Sequence, residues 1–481
     1  MHDLKRKTVR AGIFNIGARG LGFIIRTLSI MIMARLLTPE DYGLVTMVAA
    51  FTGVLNMFGC FGLFQAAIQR DELSERESTS LFWLNLTFGA ALALIVFAAA
   101  PMVSAFYREP RLIAITQVTA LSFVITAAGV QHNVLLQRRM AFGILATIEI
   151  AALLIATAVS IGMAMHGYEY WAIVSMTISL PLATTIGLWL ATGWLPGRPQ
   201  IAARVPSMLQ FGGGTMLNGF LFYITISIDK LLLGRVWGTE ATGLYSRSFY
   251  LINFPTENLN TTFGEIAFAA LSRTKDDPAR FRRYFLKAYA LVVALTLPLT
   301  VVCALFADDL IVVALGPKWI GAVEIFRILA PTILVFAINN PLGWLLTALG
   351  LVRRGVYMGL CSVCLMIAGV LIGLPHGPHG VAIAYSTVMV VRVIPATLWA
   401  LHGTGIRVRE VVGALASPLA ASMVAAAAAL WVHTLLPPTL SPVLRLALDV
   451  GSFGAAYVAA LLLIAGEKAL YLDLFRAAKS A

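Results

Sequence analysis

Charge is scarce in this 481-residue chain: Asp, Glu, Lys and Arg together make up 12% of it. Soluble chains carry about 25%, and so few charged residues cannot cover a water-facing surface of this size. The short apolar–polar alternation of a transmembrane β-barrel is lacking as well. Cysteine is sparse, with four residues. Cys60, Cys303, Cys361 and Cys364 all lie in apolar runs, and the C-x-x-C at 361–364 has neither a second pair nor a histidine cluster to complete a metal or redox site. No Walker sequence is present, which excludes P-loop ATP hydrolysis. No basic tail with interleaved aromatics offers a seat for nucleic acid. The sequence therefore calls for no cofactor, no metal and no nucleic-acid partner.

The hydrophobic content is 59%, and mean hydropathy is +0.86. It is arranged in long continuous runs, the pattern of membrane-spanning helices. The runs predict an all-α integral membrane protein with about fourteen transmembrane helices between residues 11 and 465. The seventh and eighth fall at about 207–234 and 241–268. The basic start, MHDLKRKTVR, precedes an apolar run longer than a signal-peptide core and without an A-x-A site, and reads as a retained first span. Of the 35 Lys and Arg residues, 23 fall on the side of the first segment and 6 in the alternate loops. The net charge of +12 is thus a positive-inside signature, with both termini cytoplasmic. Outer loops are short, the longest near Leu435–Ser441. Their carboxylates, Glu109, Glu169, Glu240, Asp308 and Asp309, carry no motif of a membrane glycosyltransferase or polymerase, so no enzyme is expected.

A weak repeat recurs after 200 residues: ARLLTPEDYGL at 34–44 and GRVWGTEATGL at 234–244. Each joins an odd span to an even one on the outer side. The expected organisation is an N-terminal six-helix lobe at 1–200, a second at 201–404, and two appended helices with a cytoplasmic tail at 405–481. Parallel repeats of this kind place a substrate path between lobes. Within the first copy, Thr38 suits an N-cap, Pro39 the first helical position, and Glu40 and Asp41 the helix N-terminus.

Two arginines interrupt the first apolar run. Arg19 and Arg26 are seven residues apart, close to two helical turns, so they share a face at a rise of about 10.5 Å. Each costs on the order of 3 kcal/mol at mid-membrane. They need acidic partners or a wet cavity that receives an anion. The acids within spans are Glu149, Asp229, Glu257, Glu265, Glu324 and Asp449. Asp229 adjoins Lys230, and Glu324 stands three residues before Arg327, so local pairs are expected there. Asp229 and Glu257 are also the candidate ion-coupling groups. Arg392 stands alone on the twelfth span. The cavity reading favours a phosphate-bearing ligand, because the guanidinium fork pairs with phosphate oxygens.

The segments RLLTPEDYGL (35–44), LLQRRMAFGILATIEI (135–150), SIDKLLLGRVWGTEATGLYSRSF (227–249) and LGPKWIGAVEIFRILAP (315–331) occur in that order. Through them the chain resembles the polysaccharide transporters, the oligosaccharide-lipid flippases of the multidrug/oligosaccharidyl-lipid/polysaccharide exporter superfamily. The resemblance implies transfer of a polyprenyl-pyrophosphate-linked oligosaccharide from the inner to the outer leaflet of the bacterial inner membrane. Exopolysaccharide, capsule or lipopolysaccharide synthesis would follow, beside polymerase or export machinery. It also implies substrate-binding roles for Arg19, Arg26 and Arg247, because related flippases carry cavity arginines in the first and eighth spans. A cation-coupled multidrug exporter of the same superfamily is the competing reading.

Overall fold

The computed structural model describes residues 2–59, 74–199, 205–437 and 439–463, and their side chains except at 2–16, 18–19, 56–59, 205–222, 258–262, 265–266, 269 and 352. Every regular element among the described residues is helical. Nine helical stretches there are long and apolar enough to cross a bilayer, and two of them, Ala322–Ala348 and Arg353–Leu401, each hold two successive helices. The chain is a multi-pass helical membrane protein. It divides into two compact units, Met1–Gly243 and Leu244–Ala481.

The first unit contains α1 (His2–Leu36), α2 (Pro39–Gly59), α3 (Glu75–Tyr107), α4 (Leu112–Arg138), α5 (Phe142–Met165), α6 (Tyr170–Thr192) and the first part of α7 (Val205–Thr274). The helix starts follow local chemistry. Thr38 and Asp41 cap α2 reciprocally: the Thr38 N–H and Oγ1–H both donate to Asp41 Oδ2, at 2.8 and 2.7 Å. Pro39 is the first helical residue, where a missing N–H costs nothing. Ser74 and Glu77 form the same kind of box at the start of α3. Leu44, Met47 and Val48 of α2 meet Val103 and Tyr107 of α3, Leu112 and Ile115 of α4, and Val174 of α6 in a buried cluster. Along α1, Ser29 and Met33 are buried against α5, where Ser160 donates to the Met33 sulfur and to the Ala172 carbonyl.

An unbroken helix of 70 residues would run about 105 Å, several times the hydrocarbon thickness. The run from Val205 is instead broken at Gly238, where φ 80° and ψ −166° leave the helical region. That is the interval expected between the seventh and eighth spans. The two copies of the repeat meet here. A Cβ at Gly43 would overlap the Thr239 carbonyl, and a Cβ at Gly243 would overlap the Pro39 carbonyl. Positions 39 and 239 correspond in the repeat, as do 43 and 243. The contact is therefore reciprocal, each copy placing its glycine against the other's helix start.

The second unit holds the rest of α7, then α8 (Pro278–Leu305), α9 (Ala307–Ala314), α10 (Ala322–Leu329), α11 (Pro331–Ala348), α12 (Val352–Gly373), α13 (Gly377–Leu401), α14 (Val408–Leu435) and α15 (Pro442–Leu463). Asp277 caps α8 by accepting from the Arg280 N–H at 3.0 Å. Phe281, Phe285 and Tyr289 of α8 pack with Leu342, Leu345 and Leu346 of α11. Ala421, Ala425 and Ala429 recur at four-residue spacing on α14 and receive Phe453 and Tyr457 of α15. Small residues on one helix let the aromatic face of the next approach closely, which drives helix association where no water is squeezed out.

Candidate substrate-binding site

Because α1 is continuous from His2 to Leu36, positions 19, 26 and 33 lie on one stripe. The stripe is sealed at one end: Met33 is 4% exposed. Two turns away Arg26 is exposed and forms no ion pair among the described residues. The side chain of Arg19, one further step along the same face, lies outside the described residues. A charged side chain thus stands where the packed face of α1 opens.

Among the described side chains, the acids that might have neutralised it are engaged elsewhere or exposed. Asp229 is fully buried, and its Oδ1 accepts from the Lys230 N–H at 2.8 Å and from Lys230 Nζ at 3.4 Å. Lys230 Nζ also donates to the Ile226 carbonyl at 2.5 Å. Glu149 and Glu257 are exposed, and Glu265 lies outside the described side chains. Arg247 is half-buried, with its guanidinium 5.3 Å from the Tyr250 ring centroid, an i,i+3 cation–π contact. Of the predicted residues, Arg19, Arg26 and Asp229 belong to the first unit, and Arg247 and Glu257 to the second. No ion pair joins Arg26 to Asp229.

Several charge pairs differ from those expected along single helices. Arg327 does not meet Glu324. It reaches Asp308 of α9, while Glu324 lies 3.3 Å from His379 Nε2. An i,i+3 pair is weak, and a partner on a neighbouring helix displaces it without cost. His379 lies in the first turn of α13. Sequence reading missed a charged network on α9, α14 and α15. Arg445 binds both carboxylate oxygens of Asp309, through Nε at 2.7 Å and through Nη2, and His433 Nδ1 lies 2.8 Å from Asp449 Oδ2. Asp309, His433 and Asp449 lie close enough to ligate one ion. Arg445 occupies the first of these and the imidazole the last, so the group closes on itself as a brace between helices. The sixteen-residue separation of His433 and Asp449 follows no helical period, and only the α14–α15 hairpin reveals it. At the α3–α4 junction, Arg111 bridges Glu109, at 2.8 Å, and Glu40 of the repeat, at 2.6 Å. Arg111 beside it holds the Glu109 carboxyl below its ordinary range, chiefly by hydrogen bonding to the charged form.

Residues 32–324 match the family model described as polysaccharide biosynthesis protein. The chain belongs to that family. It is 24% identical over 403 residues to the lipopolysaccharide biosynthesis protein WzxC of Escherichia coli (strain K12), covering 82% of this chain and 80% of that one. It is 27% identical over 295 residues to the teichuronic acid biosynthesis protein TuaB of Bacillus subtilis (strain 168), with 60% of each covered. Among solved structures, the chain shares its fold with the lipid II flippase MurJ in an inward closed conformation, at TM-score 0.73 and 13% identity over 97% of this chain and 100% of that one. An inward-facing multidrug resistance MATE family transporter of the MOP superfamily aligns at TM-score 0.59 and 13% identity, over 83% and 98%. The family is one of membrane transporters of polysaccharide biosynthesis, and not of enzymes.

Proposed function

We propose that this protein flips a polyprenyl-pyrophosphate-linked oligosaccharide from the inner to the outer leaflet of the bacterial inner membrane, for exopolysaccharide, capsule or lipopolysaccharide synthesis. The observation that carries the reading is Arg26: an exposed arginine of α1 with no ion pair among the described residues, at the point where a packed stripe opens on a helix that this reading places in the membrane. A charge in that position requires water and an anion rather than lipid. Arg19 and Arg247 act with it on the pyrophosphate, through paired charge-assisted hydrogen bonds. The full chain has about fourteen spans, two six-helix lobes at 1–200 and 201–404 and an appended pair at 405–481, with both termini cytoplasmic. Basic segments such as Arg273–Lys287 draw the anionic headgroup from the inner leaflet, and polymerase or export machinery takes it up outside. The lobes alternate access, and no covalent step is involved.

The test is lipid-linked sugar accumulation in a deletion host complemented with variants. Arg26→Ala and Arg19→Ala should leave protein in the membrane at wild-type level yet fail to restore polymer, with the lipid-linked precursor trapped on the cytoplasmic face. Normal polymer from both variants would refute the anion site. A second reading, a cation-coupled multidrug exporter, draws on the fold shared with the MATE transporter and would use Asp229 and Glu257. The Lys230 ammonium already bound to Asp229 weighs against a free cation there. Raised drug sensitivity with unchanged polymer in the deletion host would favour the exporter.

A further inference from the structure

Arg392 is a second arginine without a counter-charge among the described residues, and it lies in a stretch, Arg353–Leu401, long and apolar enough to cross a bilayer. It lies on α13 about 22 Å along the helix from Gly377 and about 14 Å before Leu401. Its Nη1 donates to Ser362 Oγ of α12 at 2.6 Å, a neutral acceptor. Its Nε is buried and has no acceptor, and no ion pair involves this residue among the described residues. A guanidinium offers five donors, so a charged fork with one neutral bond inside a membrane is incomplete. An intramembrane charge in this state marks a binding function.

The surroundings say what completes it. Trp399 lies seven residues on from Arg392, hence on the same face of α13, and stacks with Tyr357 of α12 at 6.5 Å between centroids. This aromatic pair sits towards the end of the α12–α13 hairpin where Arg353 and Arg354 begin α12. Arg353 is exposed there, and Arg354 Nη1 donates to the His402 carbonyl at 2.5 Å. Basic residues at the rim and an aromatic pair beneath them are the pattern of a membrane interface. The flanks are apolar and open, Val391 at 63% and Ile394 at 68% exposed, as lipid chains require. We propose that the α12–α13 seam binds the phosphate of a lipid headgroup drawn in from the cytoplasmic leaflet, held by Arg392 with Ser362 and passed in by Arg353. Either a membrane phospholipid or a polyprenyl pyrophosphate supplies that chemistry. The site does not depend on the flippase reading.

The experiment is native mass spectrometry of the full-length protein titrated separately with phosphatidylglycerol and with polyprenyl pyrophosphate, with diacylglycerol as a phosphate-free control. Wild type should bind one equivalent of a phosphate lipid about tenfold more tightly than Arg392→Gln, the loss of one charge-assisted pair. Arg392→Lys, which keeps the charge but not the fork, should fall between them, and diacylglycerol should distinguish none. A difference confined to phosphatidylglycerol identifies a resident phospholipid, and one confined to the pyrophosphate identifies a station for the polyprenyl carrier. Equal binding of both lipids by wild type and Arg392→Gln overturns the proposal. Should Arg392→Gln not give folded protein, Ser362→Ala and Arg392→Lys decide it: both must weaken phosphate-lipid binding, or the site is absent. Because the readout is binding, transport failure in Arg26 variants and failure of this site are separate results.

Discussion

At the scale of single residues, the chain separates charges that are matched from charges that are not. Asp449 is fully buried with one oxygen paired to His433, and its second oxygen has no hydrogen-bond partner among the described residues. Replacing His433 by Leu should cost about 3 kcal/mol, because a buried carboxylate left alone carries its full desolvation penalty. Denaturant titration in mixed micelles would read this as an earlier unfolding midpoint, and Asp449→Asn in the same background should recover part of it. Glu109 makes a pH prediction at the α3–α4 junction. Its folded-state pKa is depressed by Arg111, while the unfolded chain titrates near the usual value of about 4.3. Its contribution is therefore complete above that value and fades as pH falls through the lower, folded-state value. Melting temperature followed from neutral to acid pH should fall less steeply in Glu109→Gln than in wild type. The pairings of Arg327 and His433 were not legible in sequence, because they depend on which helices become neighbours. Asp229–Lys230 was legible, being adjacent.

At the scale of elements, most boundaries follow from local chemistry and could be read in advance. The Thr38 cap, the Pro39 start and the break at Gly238 all rest on residues whose conformational preferences are strong. What the sequence concealed is how helices use their small residues. A Cβ at Gly43 or Gly243 collides with backbone, so Gly43→Ala and Gly243→Ala should each destabilise by about 1–3 kcal/mol. The double variant should lose less than the sum, since both act on one shared crossing; a double-mutant cycle on thermal unfolding checks it. On α14, Ala425→Leu should likewise push α15 away, and cross-linking yield between cysteines placed on the two helices would fall.

At the scale of the whole molecule, composition alone identified a helical membrane protein, and the fold shared with MurJ agrees with that class. The arginines of α1 stood out in the sequence because a charge inside an apolar run is costly. Arg392 was visible as an isolated charge, but its neighbours Ser362, Tyr357 and Trp399 emerged only from the α12–α13 hairpin. If about two negative charges move outward with the headgroup, an inside-negative potential of 100 mV contributes roughly 4–5 kcal/mol. Precursor flipping in vesicles should then accelerate with a potassium-diffusion potential of that sign and slow with the opposite one. Indifference to either sign would show that charge is compensated during transport.

The reciprocal glycine crossing has a genetic consequence. Each missing side chain is filled by a backbone carbonyl of the other copy, at Thr239 and at Pro39. A carbonyl cannot be trimmed by mutation, so no substitution at the facing position can make room for a larger residue at Gly43 or Gly243. Revertants of such variants should be true revertants or lie at a distance, where they loosen the helices that press the two starts together.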